Sequence, residues 1–263
     1  NSLKAGRLAV ASLEAATKAL KEGQIDALVT APINKSNVQS ERFSFPGHTD
    51  YLAKELGGEA LMFMISEGLR VGLLTDHIAV SEVSNAITTK RIRDKVKTMS
   101  QSLIQDFGIV RPRIALLGIN PHSGDDGTIG SEDDTIMRPA IATLFDEGIL
   151  AFGPYAADGF FGSSAYSQFD GVIAAYHDQG LVAFKALSFG QGVNFTAGLS
   201  RVRTSPDHGT AYAIAGKGEA DPTSFTQALF AAVDIYKRRT AYQALEANKL
   251  KPNQKKAAKE YNA

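Results

Sequence analysis

The chain has 263 residues, no cysteine, and 28 basic residues balanced by 28 acidic ones. The balanced charge argues against a nucleic-acid groove or an anionic membrane surface as the main partner, and no apolar run approaches the length of a membrane span. The missing cysteines exclude disulfides, thiolate–metal sites and a cysteine nucleophile, and they fit the reducing cytoplasm in which we expect the protein to work.

The first half of the sequence alternates between helical and extended patterns. The predicted elements are, in order, a helix over 3–22, a strand over 25–30, a helix over 51–56, strands over 61–65 and 71–74, and a long charged helix over 88–107. Thr49 or Asp50 is the predicted capping residue of the short helix, because side-chain oxygens there accept hydrogen bonds from free amides.

The second half continues the alternation. An apolar run over 114–119 predicts a strand that ends in a glycine-rich turn, and Ser131 with three following acids predicts a helix to about Glu147. Further elements are predicted as strands over 149–152, 172–175 and 193–196, and as helices over 178–187, 210–215 and 224–237. The tail from Arg238 has few apolar anchors and is predicted to be a solvated helix or disordered. The alternation predicts an α/β fold with a largely parallel sheet.

Three histidines, His77, His122 and His177, each follow an apolar run at a predicted strand exit. Open α/β sheets form ligand sites at the carboxyl edge, and a catalytic zinc takes three protein ligands with one position open. We therefore predict that the three imidazoles converge on one metal, with Asp125 and Asp178 as partners of the imidazoles. Their spacing is too long for a local metal clip, and the alternative is three unrelated loop histidines that form hydrogen bonds.

Anion-binding residue types occur at separate places in the chain. The turn over 47–49, which contains His48 and Thr49, offers amides and a hydroxyl to a phosphate, although simple helix capping explains it equally well. Lys185, Asn194 and Arg203 follow on different predicted elements, and lysine and arginine are natural phosphate partners. Each is equally compatible with an ordinary surface position.

A glycine-containing segment over 207–222 opens with Asp-His-Gly-Thr-Ala, and such glycines allow a nucleotide to approach the backbone closely. The sequence has no Gly-x-Gly-x-x-Gly after a strand, which argues against an ordinary Rossmann domain. Asp158 is a loop carboxylate that suits either a site facing the loop or a turn.

Five motifs, in order and within residues 3–236, carry a family resemblance. They are Thr30-Ala-Pro-Ile-Asn-Lys, Gly47-His-Thr-Asp, Asn120-Pro-His-Ser-Gly, Tyr176-His-Asp-Gln-Gly and Arg203-Thr-Ser-Pro-Asp-His-Gly-Thr-Ala. Together they resemble the 4-hydroxythreonine-4-phosphate dehydrogenase family, NAD-dependent enzymes of pyridoxal 5′-phosphate (vitamin B6) synthesis.

The resemblance implies an α/β fold like that of isocitrate and isopropylmalate dehydrogenases, with two α/β/α domains and a cleft between them. Residues 1–46 with 204–263 would form the cofactor-side domain, and 47–203 the domain for metal, substrate and dimerisation. It implies a divalent metal (zinc first, with magnesium or cobalt as alternatives) on His77, His122 and His177 at a homodimer interface, one ligand coming from the partner subunit. It also implies substrate contacts at His48, Thr49, Lys185, Asn194 and Arg203, and NAD or NADP beside His208, Gly209, Thr210 and Asp221.

The implied reaction is oxidation and decarboxylation of 4-phosphohydroxy-L-threonine to 3-amino-2-oxopropyl phosphate, with Lys185, Asp178 and Asp158 as catalytic candidates. His208 is a weaker candidate for the base. Relatives that oxidise erythronate or threonate 4-phosphate, or aromatic dihydrodiol carboxylates, keep the chemistry and change the substrate. The family's amino-terminal strand and its glycine-rich loop have no counterpart in this sequence, so we also consider an inactive, truncated metal-binding fragment.

Overall fold

The fold is built on one sheet, which a computed structural model describes together with its helices for residues 2–41 and 43–250. In these ranges the sheet has eight strands in the order β1-β8-β7-β2-β3-β6-β4-β5. The strands are β1 (Ala27–Val29), β2 (Leu61–Ile65), β3 (Arg70–Leu73), β4 (Arg113–Leu117), β5 (Leu150–Tyr155), β6 (Gly171–Ala174), β7 (Val193–Ala197) and β8 (Val202–Pro206).

The longer helices follow the predicted pattern with shifted ends. The helices are α1 (Leu3–Lys21), α2 (Lys35–Val38), α3 (His48–Leu56), α4 (Val83–Ala86), α5 (Thr89–Gln105), α6 (Arg138–Asp146), α7 (Ala157–Gly162), α8 (His177–Ser188) and α9 (Thr223–Ala247). The short helices α2, α4 and α7 were not predicted. Short 3₁₀ turns and a π-helical turn, Asp133–Met137, lie between them. The helix predicted from Ser131 therefore starts as a π turn and becomes regular only at Arg138.

The predicted α/β class is confirmed, but the sheet is mixed rather than largely parallel. β2 pairs antiparallel with both β3 and β7, and β7 pairs antiparallel with β8. For β2 and β3 the reason is the short connection between them, where Ser66 N donates to Leu69 O, because a tight turn joins only antiparallel neighbours. The remaining pairings, β1 with β8 and β3-β6-β4-β5, are parallel.

Strand β8 was not among the predicted strands because its residues are polar. Arg203, Thr204 and Ser205 are nevertheless buried. Burying polar groups is tolerated when their hydrogen bonds are satisfied inside the protein, and Thr204 Oγ1 donates to Ala228 O at 2.8 Å. A polar strand inside a sheet therefore indicates that hydrogen-bonding partners are also present in the interior around it.

Helices cover both faces of the sheet, so successive residues of β2 alternate between two cores. Leu61 and Phe63 pack in the core beneath α5, α6 and α9, whereas Met62 and Met64 pack in the core beneath α7 and α8. A third apolar cluster joins α1 and α3 beside β1. This three-layer arrangement leaves the ends of the strands free to carry functional side chains.

Helix α9 continues past the predicted end to Ala247 because a buried ion pair anchors it. Arg239 is 5% exposed, and its Nε and Nη2 lie 2.6 and 3.0 Å from the carboxylate oxygens of Asp106, which is fully buried. The tail predicted from Arg238 is thus helical and fixed to the core at its start, and residues 251–263 lie outside the described residues. Across the described ranges, no helix has the length and apolar character needed to cross a membrane.

Candidate active site

The three predicted metal ligands leave the sheet at one edge. Strands β3, β6 and β4 are neighbours and run parallel, so their carboxyl ends lie side by side. His77, His177 and His122 follow these strands in that order. The topology thus brings the three strand exits together, as ligand sites of α/β sheets require.

The rings of His77 and His177 are neighbours, with centroids 5.9 Å apart and planes tilted by 47°. Two imidazoles on one tetrahedral zinc, with Zn–N distances of about 2.0–2.1 Å, have centroids roughly 5 Å apart, so the two rings suit a shared ion. Nδ1 of His177 lies 2.7 Å from Oδ1 of Asp178, and Nδ1 of His77 lies 3.7 Å from Oδ2 of Asp76. A carboxylate on one ring nitrogen is the usual companion of a metal on the other, so this pair fits a metal site.

His122 lies on an exposed loop and does not complete a cluster of three metal ligands within the part of the chain that the structure describes. The loop is strained, because four non-glycine residues in it have positive φ angles: His122, Ser123, Asp125 and Asp126. Convergence of the three histidines stays a prediction, and the exposure of His122 suits a ligand offered to a second protomer.

Asp133 holds the start of the His122 loop in place. Its buried carboxylate accepts hydrogen bonds from the amides of Ile119 and Asn120 at 2.8 and 3.0 Å, and from Asn120 Nδ2 at 3.0 Å. The sequence predicts this acid to serve the dipole of its own helix. It instead caps the exit of β4, which explains why the helix begins irregularly at this residue.

A polar cavity of about 210 Å³ adjoins His77 and brings most of the predicted substrate residues together. The lining of this cavity includes His48, Thr49, Asn194, Arg203, His77, His208 and Gly209. Substrate, metal and cofactor candidates from distant parts of the sequence therefore share one cavity.

Arg203 lines the polar cavity together with Lys35 and Asp50, and it is only 2% exposed. Its Nε and Nη2 donate to Thr30 Oγ1 at 3.1 and 2.6 Å, and its Nη1 donates to Thr196 Oγ1 at 3.1 Å. Burial lowers the pKa of Arg203 to about 10, so the guanidinium remains a cation at neutral pH. Burying a cation costs free energy when its described hydrogen-bond partners are neutral hydroxyls, unless an anion binds to it. The surroundings of Arg203 therefore indicate an anion site.

Two further features of the polar cavity suit a phosphorylated ligand. Asn194 Oδ1 is buried without a hydrogen-bond partner among the described residues, and as an acceptor it suits a hydroxyl or ammonium donor of that ligand. Helix α3 begins at His48 with Gly47 as its cap, so Thr49 and Asp50 lie inside the first turn and are not the capping residues. Since glycine provides no side-chain cap, the free amides of this turn are an anion-binding group.

His48, the first residue of α3, is neutral in the folded protein. Burial lowers its pKa to about 3, and the positive charges of Arg203 and Lys35 act in the same direction. The imidazole therefore adds no positive charge to the cavity, and it serves as a hydrogen-bonding group at any pH at which the enzyme would work.

The depressed pKa of His48 predicts a loss of stability in mild acid. Because the unfolded chain takes up this proton near pH 6.5 and the folded chain only near pH 3, the stabilising contribution is present above 6.5 and is lost as the pH falls between these values. Between pH 6.5 and 5 the loss is about 1.5 kcal/mol. Urea unfolding of the wild type and of His48→Gln should diverge by this amount over that interval, and parallel curves would contradict the assignment.

Lys185, predicted to contact the substrate, is held outside the lining of the polar cavity. Its Nζ lies 3.1 Å from Oδ1 of Asp207, the residue before His208. Burial raises the pKa of the Asp207 carboxyl and the Lys185 ammonium opposes that rise. The pair therefore places a lysine next to the polar cavity, although not inside it.

A second, larger cavity of about 510 Å³ is mainly apolar and shares His208 and Gly209 with the first. We call it the apolar cavity, and Thr210 of the predicted cofactor residues also lines it. The helix predicted over 210–215 is only a 3₁₀ turn, Tyr212–Ile214. The carboxylate of Asp221 accepts hydrogen bonds from Thr223 N and Oγ1 at 2.9 and 2.6 Å at the start of α9, and Asp221 does not line the apolar cavity.

The remaining catalytic candidates lie at different distances from the cavities. Asp178 is exposed and contacts His177, as described above. Asp158 lies in the first turn of α7 and does not line either cavity.

The sequence did not indicate four residues that support the site through hydrogen bonds: Thr30, Thr196, Asp76 and Asp133. Thr30 lies within a quoted motif, whereas the others have no signal in the sequence that separates them from ordinary polar residues.

The sequence and structure are both similar to those of one group of known proteins. A family model described as "Pyridoxal phosphate biosynthetic protein PdxA" matches residues 1–232. A 4-hydroxythreonine-4-phosphate dehydrogenase of Bacteroides thetaiotaomicron is 51% identical over 94% of this chain and 68% of its own length. One from Sulfurihydrogenibium is 43% identical over 89% of this chain and 72% of its own length.

Solved structures agree with these relatives. The crystal structure of 4-hydroxythreonine-4-phosphate dehydrogenase from Klebsiella pneumoniae superposes with a TM-score of 0.78 at 36% identity, over 89% of this chain and 72% of that one. A terephthalate 1,2-cis-dihydrodiol dehydrogenase from Burkholderia xenovorans has a TM-score of 0.65 at 28% identity, over 88% and 74% of the two chains. The predicted family and fold are confirmed: the chain belongs to the PdxA family of 4-hydroxythreonine-4-phosphate dehydrogenases.

Proposed function

We propose that this chain oxidises and decarboxylates 4-phosphohydroxy-L-threonine to 3-amino-2-oxopropyl phosphate with a nicotinamide cofactor, in pyridoxal 5′-phosphate synthesis. The observation that carries the proposal is the buried Arg203 guanidinium, which has hydroxyl partners and lies in the same cavity as His77. Membership of the PdxA family supports this substrate over the sugar-acid phosphates.

The substrate phosphate would bind to Arg203, to the Nδ2 donor of Asn194 and to the first turn of α3 at His48 and Thr49. A guanidinium binds phosphate oxygens through paired hydrogen bonds, and the helix start adds backbone donors. Neutral His48 can donate to or accept from the ligand without changing the charge of the cavity. Lys185 on α8 lies close enough to the cavity edge to assist once it leaves Asp207.

Asp178 and Asp76 would orient the two histidines that bind the metal. Asp178 fixes the His177 ring through Nδ1, and Asp76 lies beside Nδ1 of His77, so the Nε2 atoms of both rings are left for a ligand. We propose that His122 of the partner subunit completes the set, because this histidine is exposed in its own chain. When bound, a divalent ion acidifies an alcohol and polarises a ketone, and imidazole ligands favour zinc over magnesium, with cobalt as the second choice.

Oxidation requires a base for the hydroxyl proton and a cavity for the cofactor. Lys185, Asp178 and Asp158 are our candidates for proton transfer, and the first two lie on α8, the helix that starts with His177. NAD or NADP supplies the hydride acceptor, and we propose that its adenosine half occupies the apolar cavity beside His208, Gly209 and Thr210, with Asp221 nearby. The resulting ketone lies β to the carboxylate, so it accepts the electrons when CO₂ leaves.

An assay of NADH formation tests the proposal. The 263-residue chain is supplied with 4-phosphohydroxy-L-threonine or erythronate 4-phosphate, before and after complete metal removal by a chelator. We expect turnover of the amino acid that stops on chelation and returns with zinc. Turnover of the sugar acid alone would contradict the proposed substrate, activity without metal would contradict the proposed ion, and binding of phosphate and zinc without turnover would favour an inactive fragment.

A further inference from the structure

The side chain of Gln179 joins two of the strand exits that carry histidines. Its Oε1 accepts a hydrogen bond from Ala175 N at 2.7 Å, just after β6, and its Nε2 donates to Gly118 O at 2.7 Å, just after β4. Gln179 is the third residue of α8, the helix that begins with His177. One amide therefore connects the helix that carries His177 with the two neighbouring strand ends.

The sheet itself does not make this connection. The ladder between β4 and β6 has Leu116 and Ile173 as its last pair, and Gly118 N donates to Tyr155 O of β5 on the other side. The ladder between β4 and β6 therefore ends before it reaches Gly118 and Ala175. An amide side chain can replace the missing peptide pairing, because it carries one strong acceptor and one strong donor.

A comparable link connects the end of β3 to the end of β6. Thr75 follows β3, and its backbone amide and its Oγ1 both donate to Ala175 O, at 3.2 and 2.8 Å. Ala175 is thus fixed from both sides, by Thr75 through its carbonyl and by Gln179 through its amide. It lies two residues before His177, and Thr75 lies two residues before His77. The links hold β3, β6 and β4 in register at the edge where the histidines leave the sheet.

We infer that Gln179 is a positioning residue of the metal site: it fixes the strand exit of His177 against the end of β4 through Ala175 and Gly118. This inference rests on the proposed metal site and deepens it. A simple helix-capping role requires only the contact with Ala175, since a glutamine at this place in a helix usually reaches back to its own amino-terminal backbone. The second contact, to a strand distant in sequence, sets Gln179 apart from an ordinary cap.

Replacing Gln179 with methionine tests the inference, because methionine keeps the length of the side chain and removes both hydrogen bonds. Zinc affinity, measured by competition with a chromophoric chelator, should weaken by about tenfold or more, as expected for a group that orients a metal ligand. Inorganic phosphate, measured by calorimetry, should bind within about twofold of wild type, because the Arg203 site lies on other strands.

Gln101→Met is the matched control, since Gln101 is exposed on α5 and bonds only to Gln105 in the described contacts. If Gln179→Met does not fold, Gln179→Asn serves instead, because its shorter amide reaches one partner and not both. Equal zinc affinities of wild type and variant, or equal losses of zinc and phosphate binding, would overturn the role of Gln179. A wild-type chain that binds phosphate and no zinc would overturn the proposed metal site, and the role of Gln179 with it.

Discussion

Replacing Arg203 with methionine is expected to lower kcat/KM for the phosphorylated substrate by about 10²- to 10⁴-fold. The range corresponds to about 3–5 kcal/mol, the usual cost of removing one member of a buried, hydrogen-bonded charge pair. Burial makes the loss large, since water cannot replace a guanidinium that is 2% exposed.

The same substitution should leave the fold intact or stabilise it when no anion is present. The wild-type cation is buried against hydroxyl groups, so its removal also removes a desolvated charge. Inorganic phosphate should therefore raise the melting temperature of the wild type and not that of Arg203→Met.

Arg111→Met provides the control, because Arg111 is exposed in the turn before β4. Phosphate stabilisation that survives in Arg203→Met would place the anion site elsewhere.

Replacing Asp106 with asparagine is expected to lower the free energy of unfolding by about 3–5 kcal/mol, because it leaves a buried arginine without its countercharge. The carboxylate receives two hydrogen bonds from Arg239 and one from Ser102 Oγ at 2.7 Å. Arg239 also donates to Leu199 O at 3.0 Å, so the pair fastens α9 to the end of α5 and to the turn after β7. Equilibrium unfolding in urea measures the change.

The double variant Asp106→Leu/Arg239→Met should recover most of the lost stability, since replacing both charges by apolar side chains removes the unpaired ion. Asp94→Asn is the control, because the Lys90–Asp94 pair is solvent-exposed and its loss should have little effect. A double variant as unstable as Asp106→Asn would show that the charges themselves are required.

Periodic apolar residues made most of the fold predictable. The helix predicted over 88–107 is found as Thr89–Gln105 with Thr88 as its cap, because its buried stripe repeats at helical spacing. Strand β8 was not predictable in this way, since the buried polarity of Arg203 and Thr204 depends on hydrogen-bond partners elsewhere in the chain. The antiparallel pairings depend on turn geometry, which the apolar pattern does not record.

The candidate site was also predictable from the sequence only in part. The exposure of the histidines at strand exits follows from the local pattern, and the family resemblance indicates which residues belong together. Spacing alone did not show that the rings of His77 and His177 are neighbours, because this follows from the adjacency of β3 and β6. The supporting contacts of Asp133 and Gln179 depend on three-dimensional proximity and have no counterpart in a linear pattern.

A crystal structure of the chain with zinc and 4-phosphohydroxy-L-threonine, with anomalous data at the zinc edge, tests the central claim most directly. We expect an anomalous peak between the Nε2 atoms of His77 and His177, with His122 of the partner subunit as the third ligand. We also expect the substrate phosphate on Arg203. An ion bound away from these histidines, or a phosphate bound away from Arg203, would contradict the proposed site.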